Sequence, residues 1–183
     1  REAIKDDPQN SDLLERGFVA FLADGAMGDT FRAAEKLVQR DPSNGLAQLA
    51  LGVRALKQKS YATARNQLQR GGRGRSADIT ATLLAAWAYS GSGDTKRALD
   101  PLERLRGEST FDRFRDFHAG LILDIAGRKS ESTRRLKAAY EAERTNLRLV
   151  DIWARHQARA GDREAALATL NEFEQRVRPN HPV

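Results

Sequence analysis

The sequence predicts an all-α chain built as a stack of five helix pairs, and three observations carry that prediction. The chain repeats itself every 34 residues, glycine returns at one fixed place in those intervals, and apolar residues recur at steps of three and four, not two. Intervals starting at Ser11, Gly45, Ile79, Arg113 and Leu147 follow one another without insertion or deletion.

Each recurring position has a physical reason. The eighth position carries Phe18, Gly52, Ala86, Gly120 and Ala154, and the twentieth carries Thr30, Ala64, Ala98, Ser132 and Ala166. Mostly small side chains there let two helices of a pair approach closely. The fifteenth position carries Gly25, Lys59, Gly93, Gly127 and Gly161, where a helix ending in a left-handed cap favours a residue without Cβ. Turns are therefore expected near residues 25–28, 58–61, 92–95, 126–129 and 160–163. Asp29, Asp94 and Asp162 fall near the start of the following helix, where an acid caps it or complements its dipole. The twenty-fourth position, Ala34, Leu68, Leu102, Leu136 and Leu170, is expected to face the shared core. Burying a leucine there is worth about 1.5–3 kcal/mol. Helical spacing is legible in Leu46, Leu49, Val53 and Leu56, and again in Phe114, Phe117, Leu121 and Ile125.

These residues resemble the tetratricopeptide repeat family. The likeness is carried by Leu51-Gly52 with Tyr61 and Ala64, Tyr89 with Gly93-Asp94 and Ala98, Ala119-Gly120 with Gly127, and Gly161-Asp162 with Ala166. Asp41-Pro42 matches the proline that ends a repeat, and Asp7-Pro8 stands one period earlier. The resemblance implies a right-handed α-solenoid over residues 11–178, with 1–10 as the tail of a truncated preceding repeat and 179–183 as a C-terminal tail. There are departures. The fourth position, often a large apolar residue in the family, is Leu14, Gln48, Thr82, Asp116 and Val150, and Ser76, Thr110 and Arg144 replace the terminal proline.

Composition narrows the function. The chain has 183 residues, 40% hydrophobic and 31% charged, with a net charge of +6 and no apolar run long enough to span a membrane. It has no cysteine, so disulfides, thiol nucleophiles and thiolate metal sites are excluded. Its three histidines, His118, His156 and His181, show no metal-ligand spacing, and no catalytic triad can be assembled. No enzyme, metal or cofactor is expected. Arg70-Gly-Gly-Arg-Gly-Arg75 looks like an arginine-glycine RNA-binding element, but it is short and falls where one helix pair must end, so it reads as a loop. A basic nucleic-acid-binding repeat protein is the alternative to a protein-interaction scaffold. That alternative requires a continuous basic stripe interleaved with aromatics, whereas the basic residues here are dispersed among acidic ones.

In the family, the first helix of each repeat lines a concave groove. The resemblance therefore places Val19 and Leu22, then Leu46, Leu49, Val53 and Leu56, then Leu83 and Trp87, then Phe114, Phe117 and Leu121 there. So apolar a surface is expected to be a site for a protein or peptide partner, the alternatives being that superhelical curvature buries these residues or that an N-terminal segment fills the groove. The fifth repeat contributes Arg148, Arg155 and Arg159 on one helical face, suited to a carboxylate or phosphate. Some family members clamp an acidic chaperone C-terminus with an asparagine at the sixth position. Here that position is Arg16, Ala50, Leu84, His118 and Ile152, which disfavours that partner. The pattern also resembles bacterial repeat proteins with an export signal. With the absence of cysteine this tilts the expected location to the periplasm or envelope over the cytoplasm. Residue 1 is Arg and the only methionine is Met27, so the chain is expected to be trimmed or processed.

Overall fold

A computed structural model describes residues 10–71, 75–105 and 109–177. Ten helices, and the short turns between them where the connection is described, account for the described residues, and no strand occurs among them. They are α1 (Ser11–Ala23), α2 (Met27–Arg40), α3 (Gly45–Lys57), α4 (Tyr61–Gly71), α5 (Arg75–Gly91), α6 (Thr95–Glu103), α7 (Ser109–Ile125), α8 (Lys129–Ala142), α9 (Leu147–Arg159) and α10 (Arg163–Val177). The first helix of each pair starts within four residues of its interval's start, and the turns at 24–26, 58–60, 92–94, 126–128 and 160–162 lie at or one residue before the expected places. The chain divides into two compact units, Arg1–Pro101 and Leu102–Val183.

The turns have one cause. Gly25, Gly93, Gly127 and Gly161 adopt φ of 73°, 80°, 74° and 93°, and Lys59 adopts 59° at the equivalent place. The residue after each of these donates its backbone N–H to a carbonyl five residues earlier, as in Ala26 to Phe21 and Ser60 to Ala55, both at 2.9 Å. A left-handed residue is required to close that loop. The next helix then starts on a side-chain cap in two cases: Asp94 accepts from the Arg97 N–H at 2.9 Å and Asp162 from the Ala165 N–H at 3.0 Å. Asp29 instead pairs with Arg32 at 2.6 Å. The first helices use a signal that sequence reading passed over. Asn10, Asn44 and Asn146 each stand just before an interval and accept from the N–H groups of Leu13, Ala47 and Arg148.

Unit one buries Leu14, Phe18, Ala33, Ala34, Leu37, Ala47, Ala50 and Leu51 as one cluster. A second cluster there gathers Ala55, Ala64, Leu68 and Ala88. Every twentieth-position residue is buried, as is every eighth-position residue. Close approach is literal at the eighth position: a Cβ on Gly52 would lie 2.8 Å from Leu68, and one on Gly120 would lie 2.7 Å from Leu136. Phe18 breaks the small-residue rule and is nonetheless 1% exposed. Its partner at the twenty-fourth position is Ala34, where the other pairs have leucine, so volume is exchanged across the crossing and not added.

Unit two packs Phe117, Leu136, Ala139, Tyr140, Leu149, Val150 and Trp153 together. Its fourth-position departure, Asp116, is held by ions in place of an apolar contact. It accepts from Arg115 at 3.0 Å and from Arg135 at 2.6 Å; Arg135 also pairs with Glu103, and Arg115 with Asp112. Side chains so little exposed need such partners, since removing one would strand a charge. In unit one the corresponding Gln48 is 1% exposed and donates to the Pro42 carbonyl at 2.9 Å. One expectation fails. Leu170 is 44% exposed, because the twenty-fourth position is covered by the first helix of the next repeat and no described helix follows α10.

Candidate functional site

The first helices of unit one carry an exposed apolar face. Val19 on α1 and Leu46 and Val53 on α3 are 47%, 46% and 41% exposed. Leu22, Leu49, Leu56, Leu83 and Trp87 are half-buried beside them in sequence register, with Leu49 and Leu56 also packed on the α3–α4 core. This division follows from helical geometry. On α3, Ala47, Ala50, Leu51 and Ala55 face the core, while Leu46 and Val53, seven residues apart, emerge together on the opposite stripe.

Unit two presents a different surface. Phe114 is exposed, Leu121 is half-buried, and Phe117 is buried in the core and offers little surface. Phe114 and Phe117 line a small pocket of about 160 Å³ with Arg113, His118, Glu143, Asn146, Arg148 and Leu149. The Arg113 guanidinium stands 5.1 Å over the Phe114 ring and pairs with Glu143 at 3.1 Å. His118 meets Phe117 edge-on at 5.2 Å, and burial, helped by the charge of Arg148, holds its ring below the ordinary histidine value. The three arginines of α9 do not form one cationic row. Arg155 pairs with Asp151 at 2.8 Å and Arg159 with Asp124 at 2.7 Å, which leaves Arg148 as the one at the pocket.

An arrangement invisible to sequence reading lies nearby. His156, 5% exposed, has Nε2 at 2.8 Å from the Thr133 hydroxyl and Nδ1 at 3.3 Å from Asp124. The order hydroxyl, imidazole, carboxylate is that of a hydrolytic triad. The surroundings are not: Thr133 also meets the Lys129 carbonyl at 2.9 Å inside α8, where backbone N–H groups belong to the helix and cannot form an oxyanion site. Trp153 stacks on the His156 ring at 5.8 Å, so the group reads as a polar seam between two repeats. Among the described residues no three His, Asp or Glu side chains are grouped to hold a metal ion, and no helix is long and apolar enough to cross a membrane. Within the Arg70–Arg75 segment, α4 ends at Gly71 and α5 begins at Arg75, and residues 72–74 lie outside the described residues.

No family model matches the sequence, and no curated protein is similar to it. Solved structures are. A crystal structure of MamA superposes with a TM-score of 0.70 at 16% identity, covering 94% of this chain and 96% of that one. MamA from Desulfovibrio magneticus RS-1 gives 0.72 at 13% identity, covering 94% and 97%. YrrB, described as a TPR protein with an unusual peptide-binding site, gives 0.63 at 17% identity, covering 98% and 92%. The chain has the tetratricopeptide-repeat fold. In that fold the first helices of the pairs are α1, α3, α5, α7 and α9.

Proposed function

We propose that the protein is a non-enzymatic interaction scaffold that holds a peptide segment of a partner protein against its largely apolar first-helix face. The observation that carries this reading is the exposure of Val19 and Val53 at the same repeat position on α1 and α3, with Leu46 two turns before Val53 on the same stripe. Aliphatic side chains that stand in water at the same position of successive first helices are a feature of binding surfaces. The peptide-binding site named for YrrB lends support by analogy of fold alone. Leu22, Leu49, Leu56, Leu83 and Trp87 deepen the site in unit one. Phe114, Leu121 and Arg148 give unit two an apolar and cationic surface of its own, with Phe117 as its floor and Arg155 and Arg159 held by their carboxylates.

The nucleic-acid alternative is weakened by the local neutralisation of the basic residues. Arg32, Arg54, Arg97, Arg113, Arg115, Arg128, Arg135, Arg144, Arg155, Arg159 and Arg176 each pair with a carboxylate, which makes these eleven less able to displace counterions from phosphates. The test is a selection from a displayed random-peptide library, followed by titration of the selected peptides. Apolar-rich ligands should emerge, and Leu46→Glu with Val53→Glu should abolish their binding without lowering the melting temperature. Selection of no ligand, or ligands indifferent to both substitutions, would remove the reading.

A further inference from the structure

A cation without a counter-ion stands at the pocket of unit two. Arg148, near the start of α9, forms no ion pair among the described residues, whereas Arg155 and Arg159 on the same helix are held by Asp151 and Asp124. The other charges lining the pocket cancel. Arg113 donates to Glu143 at 3.1 Å, and the Asn146 amide donates to the same Glu143 oxygen at 3.3 Å. The lining therefore carries the net charge of Arg148 alone, beside an apolar floor of Phe114, Phe117 and Leu149, and His118 lines the same space. We propose that this pocket seats an acidic side chain of the bound segment, and that His118 takes up a proton as the carboxylate arrives. The scaffold reading enters only as the source of the segment that brings the carboxylate.

Volume and chemistry together select the group. A space of about 160 Å³ admits one side chain and no length of backbone with it. Its floor suits the methylenes of that side chain, and its one uncancelled charge suits what they carry. A guanidinium donates two parallel N–H groups to a carboxylate, and such charge-assisted bonds are about twice as strong as neutral ones. An aliphatic side chain in the same place would cover Arg148 and leave its charge unpaired. Glu143 does not repel the newcomer on balance, because Arg113 already neutralises it.

The same event moves His118. In the free protein burial, and after it the charge of Arg148, hold the ring below the ordinary histidine value of 6.5. A carboxylate beside Arg148 offsets the second cause and adds an attraction of its own, so the occupied ring keeps its proton to a higher pH than the free ring. The complex then binds more protons than its parts between the two values. Binding tightens as pH falls through the higher value, and the gain is complete below the lower one. The remaining charges of the neighbouring helices are already committed. On α7, Asp112 and Asp116 are tied to Arg115, Asp116 also to Arg135 of α8, and Asp124 to Arg159 of α9. On α9, Asp151 is tied to Arg155. Arg148 is the charge that an incoming carboxylate meets uncompensated.

The test follows the His118 ring resonances of the 183-residue chain by NMR as the capped tripeptide acetyl-Leu-Glu-Leu-amide is added across a pH series, with His118→Gln identifying the signal. The peptide should raise the His118 midpoint by about one pH unit and bind roughly two- to tenfold more tightly near pH 5.5 than near pH 8. Acetyl-Leu-Gln-Leu-amide, neutral and of the same shape, should do neither. Arg148→Gln keeps the backbone N–H that Asn146 caps, so α9 should start as before. It should raise the midpoint of the free protein and cancel the preference for Glu over Gln. His118→Gln should keep that preference and lose its dependence on pH. A Glu peptide that leaves the His118 midpoint unmoved, a Gln peptide that matches it, or a preference that survives Arg148→Gln overturns the proposal. So does acetyl-Leu-Gln-Leu with a free C-terminal carboxylate moving His118 more than the Glu peptide does, because the group seated would then be a chain end. Failure of the library selection would remove the scaffold reading without touching these titrations, and failure of the titrations would overturn this assignment without touching the face of unit one.

Discussion

Lys59 is the one described residue that adopts positive φ while carrying a side chain, and it does so where four other repeats use glycine. Replacing it with glycine isolates the energetics of the turn. Holding a residue with a Cβ in the left-handed region costs about 1–2 kcal/mol. Glycine removes that cost but returns about 0.4–1 kcal/mol of conformational freedom to the unfolded chain. The difference predicts that Lys59→Gly stabilises the protein by about 0.5–1 kcal/mol, a rise of roughly 2–3 °C in melting temperature. The exposed Lys59 side chain leaves no cavity behind. Gly93 provides the mirror experiment: φ is 80° and no atom lies within 4 Å of an added Cβ, so Gly93→Ala should lose about the same amount through the backbone alone. Thermal and denaturant melts of both variants provide the measurement. A Lys59→Gly protein no more stable than wild type, or a Gly93→Ala protein of undiminished stability, would refute the claim that the fifteenth position is selected for its backbone conformation.

Ala98, 0% exposed, and Ala166, 7% exposed, sit at the twentieth position, and enlarging either to leucine should overpack its helix crossing by about 1–3 kcal/mol in denaturant melts. Burial and Arg148 depress the titration of His118, so the folded ring binds its proton less readily than the unfolded one. The stability this contributes is complete above the unfolded value of 6.5 and is lost as pH falls below 6.5 toward the folded value; His118→Gln should flatten that part of the stability profile. Trp87 is half-buried, so Trp87→Ala should cost about 2 kcal/mol, below the 3–5 kcal/mol of a fully buried tryptophan, while binding of selected peptides falls more than stability does.

Residue spacing revealed the fold because each repeat reuses one solution: a left-handed turn after the first helix, a small residue at the crossing, and an aliphatic residue above it. The interval starts, the turns and the buried alanines all follow from that reuse. What escaped reading was compensation between positions. Nothing in Phe18 alone announces that Ala34 makes room for it, and nothing in Asp116 alone announces Arg115 and Arg135, because each explanation lies in a residue distant along the chain. The Thr133–His156 seam likewise spans two repeats and has no local spacing to reveal it. For the candidate site, sequence placed the apolar residues on the first helices, but exposure separates them. Val53 stands in solvent, Leu49 is shared with the core, and Phe117 belongs to the core. That division depends on which stripe of each helix the next repeat covers, and a repeat number alone does not supply it.

The central claim is that a partner's peptide lies on the first-helix apolar face. It is tested most directly by recording amide chemical shifts of the isotope-labelled protein as a selected peptide is added. The account predicts that the largest shifts cluster around Val19, Leu46, Val53 and Trp87, with Ala34, Leu68 and the rest of the second helices nearly unmoved. Shifts centred on the second helices, or spread evenly over the surface, would contradict it.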